Sequence, residues 1–247
     1  MRELNEIIDG TIKVLEDMKR TGVTHVEVSN KTIEDLSKPV VLVPRAFETA
    51  VATTAGNPAT ELAAIEARAK VCVKCAELSR CRTNVVFGTG NPKAEIMFVG
   101  EGPGHDEDVQ GLPFVGRSGE LLTKIIAAMG FAREDVYIAN VVKCRPPENR
   151  TPLPEEIANC LPYLQAQIEL IQPKVLVALG ATAVRALLDV HLGITKMRGH
   201  WYTFRGIPIM PTFHPAYLLR NPPAKKDVWE DMKAVLEKLG REVPKSR

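Results

Sequence analysis

The sequence predicts an α/β fold of three layers, α/β/α, built around a central, mostly parallel four-stranded sheet. From residue 95 onward, short runs of consecutive apolar residues alternate with segments of helical periodicity. The apolar runs are not interrupted by alternating polar residues, which is typical of strands that are buried on both faces. The composition, 45% apolar and 25% charged, is that of an ordinary globular domain.

The predicted elements follow one another in a regular order. Five apolar runs are strand candidates: 95–100, 136–142, 174–180, 201–204 and 207–213. Four segments carry a helical apolar stripe, with Gly130 ending the first and acids in the first turn of the second: 118–130, 154–171, 181–188 and about 225–239.

Residues 1–60 are predicted to form an N-terminal extension, and residues 61–247 the main domain. Apolar residues recur at helical spacing over residues 3–20, which predicts an amphipathic helix. Residues 37–60 are rich in Pro, Ala and Thr without either period, which is typical of a linker. The main domain then opens on strong helix formers over residues 61–70.

The chain contains no run of 18 apolar residues, and its N-terminus lacks the apolar segment of a signal peptide. We therefore expect a cytoplasmic protein with reduced thiols and no membrane partner. The net charge of +2 predicts no partner, but residues 190–226 hold six basic residues and no acid. This favours a face that contacts phosphate, with an ordinary solvated surface as the alternative.

Three of the predicted strands end in or beside a polar residue, and one ends in glycine. Glu101 follows the first strand, Asn140 lies in the second, Gly180 ends the third and His214 follows the last. Because ligands bind beyond the carboxyl ends of parallel strands, these residues predict a pocket at one edge of the sheet. A structural hydrogen-bonding role for the asparagine and the histidine is the alternative.

Five cysteines occur, and four of them can share one centre. Cys72 and Cys75 form a C-x-x-C pair, Cys144 follows the second strand, and Cys160 lies in the next helix. Four thiolates suit a tetrahedral zinc ion or an iron–sulfur cluster, and spacing does not separate the two. Buried, inert thiols are the alternative. Cys81 is either a spare thiol or a competitor of Cys75.

The stretch IMFVGEGPGHDED, residues 96–108, matches neither common phosphate-binding loop. The consecutive acids at 106–108 would splay apart around a cation. The remaining interpretation is a tight loop whose glycines let the backbone approach a ligand, with Glu101 and Glu107 aimed at it. Residues 88–92 come before a strand and are predicted to form a turn.

Four ordered motifs, together with the four placed cysteines, carry a family resemblance: GEGPG (100–104), GLPFVG (111–116), NVVKCRPP with NR (140–150) and HPAYLLR (214–220). Over about residues 70–240 the chain resembles the iron–sulfur (family 4) uracil-DNA glycosylases. The resemblance implies a uracil-DNA glycosylase-like fold and a monomeric repair enzyme. Such an enzyme hydrolyses the N-glycosidic bond of uracil in single- and double-stranded DNA and leaves an abasic site.

The resemblance also implies roles for the residues that bind a flipped uracil. Phe114 would stack on the ring, and Gly102 would line the pocket. The amide of Asn140 would pair with N3–H and O4, which cytosine cannot match because its pattern is reversed. His214 would donate to O2 and stabilise the anion that leaves.

Three further residues, Glu101, Glu107 and Asn149, are implied to position the attacking water or shape the pocket wall, and Glu107 could crowd the methyl group of thymine. No lysine is placed to act as a nucleophile, so we expect water to attack without strand cleavage. In the motif that begins at His214, Leu218 or Leu219 would enter the gap left by the flipped base, unless both are core leucines. Arg220 would hold a phosphate.

By the same resemblance, Cys72, Cys75, Cys144 and Cys160 ligate a [4Fe-4S] cluster with a structural role. The chain departs from the family at His105, where the loop is usually acidic. A non-catalytic iron–sulfur or zinc module that binds nucleic acid is the alternative, although it would not need polar residues at the strand ends. The sequence identifies no sliding-clamp or other repair partner.

Overall fold

The computed structural model describes Lys19–Arg20 and residues 57–190 and 192–244. The chain divides into two compact units, Met1–Ala52 and Thr53–Arg247, and the elements below belong to the second. Lys19 and Arg20, the end of the predicted helix over residues 3–20, are helical. The rest of that predicted helix and most of the predicted linker over 37–60 lie outside the described residues. In the described part, no helix is both long and apolar enough to cross a membrane.

The sheet has six strands in the described residues: β1 (Thr89–Gly90), β2 (Ile96–Gly100), β3 (Tyr137–Asn140), β4 (Val175–Leu179), β5 (Tyr202–Phe204) and β6 (Ile207–Thr212). Their order is β1-β3-β2-β4-β6-β5. The central strands β3, β2, β4 and β6 are parallel, which confirms the predicted core. An antiparallel strand extends each edge, and β1 forms where a turn was predicted.

Nine α-helices surround the sheet in the described residues: α1 (Pro58–Lys70), α2 (Ala76–Cys81), α3 (His105–Gln110), α4 (Arg117–Ala128), α5 (Pro154–Ile171), α6 (Ala181–Leu188), α7 (Ile194–Met197), α8 (Pro215–Arg220) and α9 (Lys225–Lys238). Short 3-10 turns are also present: Arg133–Asp135, Pro147–Asn149 and Pro222–Ala224.

The central strands β2, β3 and β4 are buried on both faces, and their side chains alternate between two apolar layers. In β2, Met97 and Val99 pack in one layer, while Ile96 and Phe98 pack in the other. Helices α1, α5 and α6 contribute apolar residues to the first layer, and α4, α8 and α9 contribute them to the second. The predicted three-layer α/β/α architecture is therefore confirmed.

Two of the helices begin at a proline that follows or precedes a group bonding to a free backbone N–H. Asn57 caps α1 through a bond from Ala59 N to its Oδ1 of 3.1 Å, so α1 starts at Pro58 and the predicted linker is wrong for residues 58–60. Helix α5 also begins at a proline, and Glu156 in its first turn accepts from Leu153 N at 2.7 Å.

Parallel register brings the carboxyl ends of the central strands to one edge. Gly100 pairs with Asn140 across β2 and β3, and Leu179 pairs with Thr212 across β4 and β6. The segment after β2 is only partly the predicted loop, because its acids start helix α3 and Gly111 ends that helix with a φ of 72°. The loop is limited to residues 101–104.

Candidate active site

A cleft of about 560 Å³ lies at the carboxyl edge of the sheet, where the predicted pocket was expected. Its lining includes every residue that was predicted to act in catalysis or to bind uracil, together with Arg220: Glu101, Gly102, Glu107, Phe114, Asn140, Asn149 and His214. Side chains from four separate motifs are thus brought together by the sheet.

Asn140 ends β3 at the floor of the cleft, and its side chain is 1% exposed. Its Oδ1 is the one buried side-chain nitrogen or oxygen without a hydrogen-bond partner among the described residues. An unsatisfied buried acceptor costs about 1–3 kcal/mol, so such an atom calls for an explanation. A ligand N–H that enters the cleft would remove this cost.

Phe114 lies beside both Asn140 and His214. Its ring centroid is 5.5 Å from that of His214. A Cβ on Gly100 would lie 2.4 Å from Asn140 Oδ1 and 2.6 Å from Phe114 Cζ, so only glycine leaves room for both side chains. The backbone of Phe114 has a φ of 52°, and its carbonyl oxygen packs against the backbone of Gly119 in α4. This close packing holds the ring in the cleft.

His214 follows β6 and caps helix α8. Its Nδ1 accepts a hydrogen bond from Ala216 N at 3.1 Å, which assigns the ring proton to Nε2. Burial, with a contribution from Arg220, lowers the pKa of His214 to about 4, and Glu107 opposes this shift. The imidazole is therefore neutral at physiological pH and offers an Nε2–H donor.

Glu107 holds two loops of the site together. Its Oε1 accepts from Val115 N at 2.9 Å and Gly116 N at 3.0 Å, and its Oε2 accepts from Gly104 N at 3.1 Å. These bonds explain how a carboxylate can be only 8% exposed. They tie the GEGPG loop to the segment that carries Phe114.

Glu101 has a partner that the sequence did not identify. Thr182, in the first turn of α6, donates a hydrogen bond of 2.5 Å from Oγ1 to Glu101 Oε2. The two residues are 81 positions apart, so no local pattern could have paired them. Ser118 and Tyr217 also line the cleft and were likewise not predicted.

Asn149 is held at the rim by a chain of contacts. Arg145 Nε donates to Asn149 Oδ1 at 2.8 Å, and Arg145 Nη1 lies 3.2 Å from His105 Nδ1. His105, where the chain departs from the family pattern, thus contacts Arg145 through a ring nitrogen.

Helix α8 separates its two leucines. Leu218 is fully buried in the apolar layer shared with α4 and α9, so the prediction that it could enter DNA is wrong. Leu219 is 44% exposed, and Arg220 lines the cleft. The short helix exposes one leucine and buries its neighbour.

Two of the six basic residues in the acid-free span 190–226 are paired with acids from other parts of the chain. Arg198 pairs with Asp231 through a bond of 2.5 Å, and Arg205 pairs with Glu169.

The four predicted metal ligands, Cys72, Cys75, Cys144 and Cys160, line one small cavity of about 20 Å³. Cys81 is exposed and does not line it. Three of the four sulfurs accept N–H groups: Lys143 N to Cys160 at 3.2 Å, Arg82 Nη1 to Cys144 at 3.2 Å and Asn159 Nδ2 to Cys75 at 3.7 Å.

Burial is the largest cause of the pKa shifts of three of these thiols. It raises the pKa of Cys160 to about 12 and also raises the pKa of Cys75 and of Cys144. The free thiolates are thus disfavoured unless a metal centre stabilises them. Within the described residues, no three His, Cys, Asp or Glu side chains form a group that could hold a single metal ion.

A buried polar network connects the cysteine cavity to the cleft. Lys143 is 1% exposed, and its Nζ donates to Asn140 O at 2.8 Å and Gln167 Oε1 at 2.6 Å. Gln167 Nε2 in turn donates to Phe87 O at 3.0 Å. Burial lowers the pKa of Lys143 to about 7. Lys143 is not among the residues that line the cleft.

Comparison with known proteins agrees with this geometry. Residues 87–233, more than half of the chain, match the uracil DNA glycosylase superfamily. The fold is thus that of this superfamily.

Several curated relatives indicate which family within this superfamily the chain belongs to. The type-4 uracil-DNA glycosylase of Thermotoga maritima is 56% identical over 161 residues, which cover 64% of this chain and 82% of the relative. That of Saccharolobus solfataricus is 48% identical over 68% of this chain and 82% of the relative. That of Archaeoglobus fulgidus is 43% identical over 70% of this chain and 90% of the relative. The chain belongs to the type-4 uracil-DNA glycosylases, which confirms the family expected from the motifs.

Proposed function

We propose that the protein is a DNA repair glycosylase that flips uracil out of DNA and hydrolyses its N-glycosidic bond, leaving an abasic site. The observation that carries this proposal is the unpartnered Oδ1 of Asn140 at the floor of a cleft lined by Phe114 and His214. Membership of the type-4 family supports the same activity.

Recognition of uracil follows from the chemistry of one amide. Asn140 Oδ1 accepts from uracil N3–H, and its Nδ2 donates to O4. Cytosine carries an acceptor at N3 and a donor at position 4, so both bonds are lost and buried groups stay unpaired. The ring of Phe114 adds stacking, which contributes about 1–3 kcal/mol per base.

Bond cleavage sends the shared electron pair to the uracil ring and leaves positive charge on the sugar. His214 donates from Nε2 to the uracil O2, where negative charge develops. Because its pKa is lowered, the imidazole is neutral at physiological pH. Its single ring proton is on Nε2, where it can be donated to O2. The neighbouring DNA phosphates favour the cationic sugar.

Water completes the hydrolysis, and Glu101 is proposed to orient it. One oxygen of Glu101 accepts from Thr182, while the other, Oε1, has no hydrogen-bond partner in the described part of the chain. Asn149 is proposed to hydrogen-bond the same water from the rim of the cleft. Glu107 is proposed to act indirectly, because its bonds to Gly104, Val115 and Gly116 hold the loops of the site in place. No lysine among the described residues lines the cleft, which favours a monofunctional enzyme without strand cleavage.

The DNA strand is proposed to lie across the rim of the cleft. The exposed Leu219 enters the gap that the flipped base leaves, and Arg220 contacts a phosphate. A single copy of the chain supplies all of these groups, which supports a monomer that acts on single- and double-stranded DNA.

Cys72, Cys75, Cys144 and Cys160 are proposed to hold a [4Fe-4S] cluster. The donor set fits, because four thiols line one cavity and N–H donors reach three of the sulfurs. When bound, the cluster would link the segment between α1 and α2 to α5 and the loop after β3. Reduced thiols of this kind fit a cytoplasmic location.

An excision assay tests the proposal. Single- and double-stranded oligonucleotides with one uracil are incubated with the protein and then treated with alkali, which cleaves at abasic sites. We expect cleavage at uracil, and a loss of at least about 100-fold in the Asn140→Ala variant. Asn91→Ala, at an exposed turn, serves as the matched control. Binding of the oligonucleotide without cleavage would support the non-catalytic module instead.

A further inference from the structure

We propose that Thr182 is a positioning residue that orients the carboxylate of Glu101, an inference that rests on the proposed role of Glu101 in hydrolysis. Thr182 Oγ1 donates to Glu101 Oε2 at 2.5 Å. In the part of the chain that the structure describes, this is the one hydrogen bond that the Glu101 side chain makes. Both residues line the cleft that contains Asn140 and His214.

Thr182 is well suited to hold a fixed direction. It lies in the first turn of α6, directly after β4, and is only 8% exposed. Its β-branched side chain has few rotamers within a helix, so its hydroxyl is held in place by the backbone. Helix α6 packs Ala183 and Val184 into the apolar layer, which makes its first turn a rigid support.

The hydroxyl has no other bonding role in the described structure. Gly180 caps α6 without a side-chain bond, so the helix does not use Thr182 as its cap. Valine has nearly the same shape and would fill the same space. The hydrogen bond to Glu101 is therefore the feature that distinguishes threonine from valine at this position.

Orientation of the carboxylate matters for the chemistry. With Oε2 engaged by Thr182, the lone pairs of Oε1 point in a defined direction and accept a hydrogen bond from the attacking water. Without the hydroxyl, the carboxylate can rotate about its side-chain bonds. A misplacement of about 1 Å at a reacting group can lower the rate by about 100-fold.

A double-mutant cycle under single-turnover conditions tests the inference. It compares wild type, Thr182→Val, Glu101→Gln and the double variant on a single-stranded uracil oligonucleotide, with Thr182→Ser as the conservative variant. We expect T182V to lower the maximal single-turnover rate constant by about 10- to 100-fold, with the half-saturating enzyme concentration changed by less than about 3-fold. T182S, which keeps the hydroxyl, should stay within about 3-fold of wild type.

The decisive result is the effect of T182V in the E101Q background. If Thr182 acts through Glu101, the added valine lowers the rate there by less than about 2-fold. An equal loss in both backgrounds, or wild-type activity of T182V, would overturn the inference. Should T182V not fold, as judged by its thermal melt, Thr182→Ala takes its place in the same cycle.

Different results would overturn the role of Glu101 in hydrolysis and the role of Thr182 in orienting Glu101. An E101Q variant with wild-type activity would remove Glu101 from the hydrolysis, and the role of Thr182 with it, while the Asn140→Ala result would still test uracil recognition. An E101Q variant with low activity beside a fully active T182V would overturn the inference about Thr182 alone.

Discussion

Gly100 provides a sharp test of how closely the cleft is packed. It ends β2 beside Asn140, and its backbone is not in the left-handed region, so alanine can adopt the same conformation. The substitution Gly100→Ala therefore adds one methyl group and changes little else. Any effect arises from the contacts of that methyl group.

The expected magnitude follows from distances. The added Cβ would lie 2.4 Å from Asn140 Oδ1 and 2.6 Å from Phe114 Cζ. Comfortable contacts are about 3.5 Å, so the amide and the ring must each move by roughly 1 Å. A shift of about 1 Å in a positioning group can cost about 100-fold in rate, and we expect a loss of that size in kcat/KM. Overpacking also costs about 1–3 kcal/mol of stability.

The assay is single-turnover excision from a uracil oligonucleotide, together with urea unfolding of the same variant. Gly193→Ala is the matched control, because Gly193 has a φ of −68° and a Cβ there meets nothing within 4 Å. We expect the control to excise uracil at the wild-type rate. A G100A variant with wild-type kcat/KM would refute the close placement of Asn140 and Phe114.

Further predictions concern other parts of the molecule. Because the pKa of His214 is about 4 when folded and 6.5 for an unperturbed histidine, the unfolded chain binds more protons between these values, and stability falls as pH drops through that window. Urea unfolding at pH 4.5 and 7 should therefore show a larger difference for wild type than for His214→Asn. Gln167→Leu should lower the free energy of unfolding by about 1–3 kcal/mol, measured in urea, because it removes one of the two acceptors of the buried Lys143 amine. Cys144→Ala should abolish the brown absorbance of the purified protein and lower its melting temperature, whereas Cys81→Ala, outside the cavity, should keep both. Leu219→Ala should slow excision by about 10-fold in duplex DNA and leave single strands unaffected, because only a duplex has a stack to fill.

Opposite outcomes would be informative in each case. An equal pH dependence in wild type and His214→Asn would mean that another group controls acid stability. A Gln167→Leu variant as stable as wild type would mean that the lysine ammonium finds another acceptor. A brown, stable Cys144→Ala variant would remove that residue from the ligand set. Equal losses on duplex and single-stranded DNA would mean that Leu219 contributes to the cleft and not to the gap in the stack.

The motifs of the sequence located the residues of the cleft, but they did not define the function of each one. Glu107 was predicted to act on water or on the pocket wall, yet its carboxylate accepts three backbone N–H groups. Leu218 and Leu219 were equivalent in the sequence, and the packing of α8 against α4 and α9 separates them. Such distinctions depend on the direction in which a side chain points.

The sequence by itself determined the fold class, the four central strands and the approximate bounds of the longer helices, because continuous apolar runs and helical periodicity are local consequences of burial. The short helices α2, α3, α7 and α8 were not predicted, because four to six residues are too few to show a helical period. It also determined which chemical groups stand at the strand ends. Only the tertiary structure decided that Thr182 contacts Glu101, that Asn140 Oδ1 lacks a partner and that Lys143 links the cysteine cavity to β3. These features depend on distances between residues far apart in the chain, and packing of the layers sets those distances.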